Sequence, residues 1–285
     1  MTRPLCHNDV ITADEIGIET AWHGRFHLKS AFQPVWLHRD GILYPQAVEG
    51  LIRPFVDGRA VPPQDLFDSA APEDRFRLES LCRALHLRNH RNIGVPGIEL
   101  FFNCNPSIHD NLDRSIGQLH FMAGRLVEIG LDVGLLVCEI TEGSTIDQDG
   151  LVRLADEMRG LGLRIAIDDF GSGHSTLERV ELIGPDIIKI DGSWFRRVVA
   201  APGAARLLGS LIAGFHRDGA GVLVEGIETP EQLAVAIDAG ADHLQGYLLG
   251  RPALVGTAFD ETPIAVGDFL GRTGNVVALP ARRLG

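Results

Sequence analysis

Two adjacent aspartates, Asp168 and Asp169, end an apolar run at 163–167 and open onto a glycine loop, in the stretch LRIAIDDFGSGHSTL. Such a run suits a buried parallel strand. Two carboxylates at its end repel each other and lose hydration. A cation must balance them, either a divalent metal or a basic side chain. Side-by-side carboxylates can bridge two metal ions, an arrangement suited to phosphoester hydrolysis. That chemistry needs further ligands from elsewhere in the chain.

The elements that would carry such ligands can be read from periodicity and turn signals. Residues 26–37 and 42–51 read as strands separated by the turn His38-Arg39-Asp40-Gly41, an Asp-Gly hairpin signal that makes them antiparallel. Strand-like and helical stretches then alternate. Strands are predicted at 97–103, 135–140, 164–168, 186–190, 221–225 and 243–244, and helices at 79–89, 109–129, 148–160, 175–183, 204–218 and 230–239. Thr229 and Pro230 form a good N-cap and first-turn pair. Strands alternating with helices make a parallel sheet, so the expected fold is α/β, a TIM-like (β/α)8 barrel with an antiparallel first strand. An open doubly wound sheet is the alternative. Residues 1–15 are expected to be an N-terminal extension, 16–258 the barrel, and 259–285 a loosely packed tail.

In such barrels chemistry sits at the C-terminal ends of the strands. Those ends carry Glu49 and Arg53, Asn103, Glu139 (followed by Thr141 and Glu142), Asp168 and Asp169, Lys189 (followed by Asp191), Glu225 and Glu228, and Gln245. A single polar residue there is ordinarily a solvated strand end; one from almost every strand is a site. The carboxylates and amide are hard oxygen ligands suited to Mg2+ or Mn2+, and no His or Cys lies among them, which disfavours zinc. Lys189 is the central cation, able to position or help deprotonate a water or to neutralise charge on phosphate. Arg53 can grip a phosphate bidentately. The residues themselves point to a metal-dependent phosphodiesterase or phosphatase.

Composition sets outer limits. The chain has 285 residues, enough for one large domain or two small ones. Its net charge of −12 argues against long nucleic acid as a partner, though not against a small phosphorylated ligand. No long apolar stretch suggests a membrane span, and the polar N-terminus lacks the apolar core of a secretion signal. Cys6, Cys82, Cys104 and Cys138 are scattered without CxxC spacing, so buried free thiols and a cytoplasmic location are expected.

Eight short motifs in order resemble the EAL domain family, bacterial phosphodiesterases that hydrolyse cyclic di-GMP. They are QPV at 33–35, EGLIR at 49–53, FFNCN at 101–105, EITE at 139–142, DDFGSG at 168–173, KID at 189–191, EGIET at 225–229 and QGY at 245–247. The resemblance runs from about residue 32 to 252. It implies cleavage to linear pGpG by two-metal in-line attack of a metal-bound water, with two Mg2+ or Mn2+ ions per site. By this resemblance Glu49, Asn103, Glu139 and Asp168 hold one metal, and Asp168 bridges to a second on Asp169. Lys189 holds the catalytic water, and Glu225 and Glu49 complete the catalytic group. Gln33, Arg53 and Gln245 touch substrate, and Glu142 and Glu228 brace loops. The family also implies a homodimer formed around the helix and loop after the paired aspartates. A separate regulatory protein is a further possible partner.

The sequence departs from the family pattern at four places. Gly50 replaces the signature Ala, at an expected cost of about 0.5–1 kcal/mol in strand stability. Pro54 stands where Trp is usual, Asn105 where Ser is usual, and His174 where Tyr is usual. None removes an expected ligand. The alternative functions are a weakly active or inactive cyclic di-GMP receptor or protein-interaction module, and hydrolysis of another phosphodiester such as pGpG.

Overall fold

The computed structural model describes residues 10–104, 112–128, 130–140, 148–172 and 177–271. Eight strands close into a barrel: β1 (Phe26–Arg39), β2 (Ile42–Val56), β3 (Glu99–Asn103), β4 (Leu136–Ile140), β5 (Arg164–Phe170), β6 (Ile187–Ile190), β7 (Gly221–Val224) and β8 (His243–Leu244). From β2 to β8 every neighbouring pair is parallel. The first strand, β1, runs antiparallel to both β2 and β8 and closes the ring. The expected barrel with its reversed first strand is therefore what the chain forms.

The reversal has a local cause. Only Asp40 and Gly41 separate β1 from β2, with φ of 51° and 75°. Positive φ at both central residues is the hairpin geometry that matches strand twist, and Asp-Gly is a sequence that tolerates it. A shift of register between Val35 and Trp36 bends the long hairpin into the wall.

Helices cover the outside: α1 (Pro63–Ser69), α2 (Pro72–Asn89), α3 (Leu112–Glu128), α4 (Gln148–Gly160), α5 (Leu177–Ile183), α6 (Gly192–Val199), α7 (Pro202–Arg217), α8 (Pro230–Asp238) and α9 (Val266–Leu270). Three departures from the sequence reading stand out. Short helices α1 and α6 form where none was expected. Each is about two turns long, too short for periodicity to declare itself. Strands Ile11–Ala13 and Glu19–His23 pair with each other, and the second pairs with β1, so the hairpin draws in chain assigned to an extension. Beyond Asp260, where loose packing was expected, Ile264 and Ala265 pair with Leu43 and Ile42, and α9 packs on α8.

Inside the barrel the pleat separates two layers. Val35, Ala47, Phe101, Val137, Ala166, Ile187 and Leu223 form a closed apolar cluster, each at most 1% exposed. Side chains two residues apart share a face of a strand. Two residues from each of these lie Gln33, Glu49, Asn103, Glu139, Asp168, Lys189 and Glu225, and Gln245 follows β8. An apolar plug thus lies directly beneath a polar layer at one barrel end. Cys82, Cys104 and Cys138 are buried free thiols, as expected.

Candidate active site

The polar layer is organised around Lys189, which is 1% exposed. Its Nζ lies 2.8 Å from Glu225 Oε1, 3.1 Å from Asp168 Oδ1 and 3.5 Å from Glu49 Oε1, and donates to Glu139 Oε1. These acids come from strands β2, β4 and β5 and from the end of β7, so no local segment could assemble them. Burial alone would push the Lys189 ammonium down. The four carboxylates reverse this and hold its pKa well above the usual lysine range.

The acids feel the opposite stress. Burial raises Glu139 well above the usual carboxylate range; Lys189 opposes this, and Glu49 and Asp168 add to it. Desolvation likewise pushes Glu225 up to about 8, against the pull of Lys189. Asp169 is raised by burial and by its neighbour Asp168. One ammonium does not neutralise five clustered carboxylates, and these elevated values record the deficit in positive charge.

Divalent cations fit that deficit. Asp168, Asp169 and Glu225 can each point a carboxylate oxygen into one site, all within 4.8 Å of one another. Glu139 Oε2 is buried with no hydrogen-bond partner among the described residues. A buried anionic oxygen left unsatisfied is costly unless a cation or donor meets it. The donor set is all oxygen, the choice of Mg2+, Mn2+ or Ca2+ rather than of zinc.

The backbone at the paired aspartates is itself unusual. Asp169 has φ 59°, in the left-handed region, and its N–H donates to Asp168 Oδ1 at 3.0 Å. That turn swings Asp169 out of the strand's alternation and back beside Asp168 and Glu225, so consecutive residues serve one site. Strain of this kind costs about 1–3 kcal/mol and tends to collect at functional positions.

The amides play distinct parts. Gln245 Nε2 donates to Glu49 Oε2 at 2.9 Å, fixing that carboxylate across the barrel seam. Gln33, register partner of Glu49, donates to the Gly250 carbonyl at 3.1 Å. Gly246 lets the loops after β7 and β8 cross, since a Cβ there would sit 2.1 Å from the Ile227 carbonyl oxygen. Glu228 lies at the rim, 3.6 Å from Arg196 of α6, and its backbone N–H donates to Gln232. Asp191 caps α6 by accepting from the Trp194 N–H at 2.8 Å.

Gln33, Glu49, Asp168, Asp169, Glu225 and Gln245 line one cavity of about 440 Å³. Two expected residues lie elsewhere. Arg53 and Asn103 line an adjacent cavity between β2 and α2, with Leu51 shared by both. Asn103 is exposed, although in register it pairs with Glu139. Glu142 lies outside the described residues, as do Asn105 and His174. The sequence reading also missed Arg196 and Tyr247, which line the acidic cavity. Tyr247 belongs to the QGY motif and was within reach of that reading; Arg196 sits on the unexpected α6. Arg251 stacks over the Tyr247 ring at 4.2 Å.

Gly50 has a packing explanation. A Cβ there would lie 3.0 Å from Cβ and Cγ of His86, a buried residue of α2. The His86 ring occupies the space that an alanine methyl would need.

The family profile described as "EAL domain" matches residues 19–252, most of the chain. Among curated proteins, the cyclic di-GMP phosphodiesterase NbdA of Pseudomonas aeruginosa is 31% identical over 183 residues, 63% of this chain and 22% of that protein. RocR, a cyclic di-GMP phosphodiesterase of the same species, is 32% identical over 170 residues, 58% of this chain and 41% of that protein. The chain thus aligns to less than half the length of either relative. Among solved structures, the manganese and cyclic di-GMP complex of Klebsiella pneumoniae BlrP1 superposes with a TM-score of 0.70 at 26% identity, covering 84% of this chain and 59% of that one.

Proposed function

The chain belongs to the EAL domain family, and from that premise we propose that it is a metal-dependent phosphodiesterase that hydrolyses cyclic di-GMP to linear pGpG. The observation that carries the reading is the polar layer: five carboxylates gathered about one buried lysine at the C-terminal end of the barrel. Relatives named for this activity and a related structure with manganese and cyclic di-GMP support the same choice.

Glu49, Glu139 and Asp168, joined by Asn103, would hold one Mg2+ or Mn2+, and Asp168 with Asp169 a second, beside Glu225. When bound, such ions polarise the phosphoryl oxygens and make water a stronger nucleophile at neutral pH. The chain's own residues do the positioning. Lys189 is clamped by four acids and keeps a fixed ammonium at the floor of the site, where it can hold the attacking water and meet charge on the phosphate. Gln245 keeps Glu49 from rotating away. Gln33 and Arg53 face the cavities from β1 and β2 and offer donors to substrate. The new bond joins water oxygen to phosphorus, the P–O3′ bond breaks, and the 3′ oxygen leaves with a proton.

The test is release of pGpG from cyclic di-GMP with Mg2+ or Mn2+. Turnover abolished by Glu49→Ala and by Lys189→Ala is the expected result. Tight binding of cyclic di-GMP with no release under either metal would replace this reading with that of a receptor. A homodimer through α5 belongs to the same proposal; Leu177, 57% exposed at the start of that helix, is available for the contact. A monomeric mass in solution at full activity would remove it.

A further inference from the structure

The backbone turn that brings Asp169 into the site needs support that its own strand does not give. Ile167 pairs with Ile188 and Phe170 with Ile190, so three steps along β5 stand against two along β6. The extra residue makes a β-bulge, a device that re-aims a side chain beside a site. Two left-handed residues shape it, Asp169 at φ 59° and Gly171 at φ 96°, and the Ser172 N–H donates to the Asp169 carbonyl at 3.0 Å. What the bulge holds together resists it. Asp169 is set beside Asp168 and Glu225, with carboxylate oxygens within 4.8 Å of one another. Left unsupported, a strained turn carrying like charges would relax and let them part.

The indole of Trp194 covers this turn. A Cβ on Gly171 would lie 2.7 Å from Cγ and Cδ2 of that ring and 3.1 Å from Cδ1. Three ring atoms at nearly equal distance place the face of the five-membered ring over Gly171, where only glycine leaves room. The ring is itself fixed. The Trp194 N–H donates to Asp191 Oδ1 at 2.8 Å, the Asp191 N–H donates to the Phe170 carbonyl at 3.1 Å, and the next residue, Phe195, is fully buried. The first turn of α6 thus lies between two loops. Gly171 is on one side; on the other is Gly226, whose Cα would be 2.9 Å from a Cβ on Gly192. Those loops carry Asp169 and Glu225. We propose that Trp194 is a positioning residue for the metal held by Asp169: its ring braces the bulge and keeps Asp169 beside Asp168 and Glu225. It acts through Asp169 and offers the metal no ligand of its own. This deepens the metal-dependent phosphodiesterase reading above and rests on it.

The experiment titrates the full chain, stripped of metal, with Mn2+ and follows the free ion by electron paramagnetic resonance. Wild type is expected to take up two ions. In Trp194→Ala one of them should bind about 10–100-fold more weakly and the other as before, the range for residues that orient a metal ligand. Trp194→Phe keeps a flat ring over Gly171 and should recover most of the loss. Raising Mn2+ should bring turnover of cyclic di-GMP by Trp194→Ala back toward wild type, with KM for the dinucleotide nearly kept. In an Asp169→Asn background Trp194→Ala should cost little further affinity, since both changes act on one ion. Unchanged affinity for both ions, an equal loss in Trp194→Phe and Trp194→Ala, or full addition of the two losses in the double variant would overturn the proposal. Should Trp194→Ala fail to fold, Trp194→Leu keeps apolar bulk without a flat face and is expected to show the same selective loss. A wild type that takes up no Mn2+ would refute the metal reading itself and this inference with it. Two ions bound alike by wild type and by Trp194→Ala would refute this inference alone.

Discussion

Gly50→Ala restores the residue usual at this position in the family, and the structure says it will harm this protein. The new Cβ lies 3.0 Å from Cβ and Cγ of His86. Neither partner gives easily: Gly50 is paired with Phe32 in β2, and the His86 ring is held by Ser30 while its Cβ is fixed to α2. Overpacking of this kind costs about 1–3 kcal/mol. Against it stands a gain of about 0.4–1 kcal/mol from restricting the unfolded chain. The net is a loss of about 1 kcal/mol. Urea denaturation of the metal-free protein measures it, and a double-mutant cycle with His86→Ala assigns it. In the His86→Ala background the contacts with the ring carbons are gone and only the one with Cβ remains, so the penalty of Gly50→Ala should shrink toward zero. A Gly50→Ala protein more stable than wild type with His86 in place would refute the reasoning, and so would the same effect in both backgrounds.

Lys189→Met leaves the buried acids without their ammonium; it should abolish turnover and cost the metal-free protein about 3–5 kcal/mol, seen in urea melts. Near-normal rates would contradict the central place given to Lys189. His86 makes stability fall in acid. Burial, with Arg53 nearby, lowers its folded pKa to about 3 from an unfolded value near 6.5. Its contribution is complete above pH 6.5 and is lost as pH falls toward 3, about 2 kcal/mol of it between pH 7 and 5. The urea midpoint of His86→Gln should therefore drop less over that interval than that of wild type; equal drops would exclude His86 as the cause. Mn2+ at about a hundred times its Kd should add about 2.7 kcal/mol of stability, with thermal melting returning to the metal-free value after chelation. Asp169→Asn should shrink that shift, and an undiminished shift would remove Asp169 from the ligand set.

Much of the barrel was legible because its signals are local. Strands β3 to β7 are apolar runs bounded by polar or glycine-rich turns, and Asp40-Gly41 announced the reversed hairpin by the φ values it tolerates. Helices α1 and α6 were not legible, for they are short and owe their form to packing on the barrel rather than to periodicity. The strand from Ile264 to Ala265 was hidden for a similar reason: two residues carry no pattern, and only Leu43 and Ile42 give them a partner.

The candidate site divides along the same line. Residue type and position at strand ends, which an unaligned sequence displays, determined that acids, amides and one lysine would share a barrel rim and that hard cations would suit them. Distance decided the rest. Contacts of Lys189 with Glu49, Glu139, Asp168 and Glu225 join residues 21 to 140 positions apart, and only barrel closure brings them within reach. Closure also turned Arg53 and Asn103 toward a cavity shared with α2, and set His86 against Gly50. Sequence carries the chemistry of each side chain and the pleat that aims it. Which side chains meet across the barrel, and which space a neighbour has already filled, is fixed only when the ring closes and the helices pack.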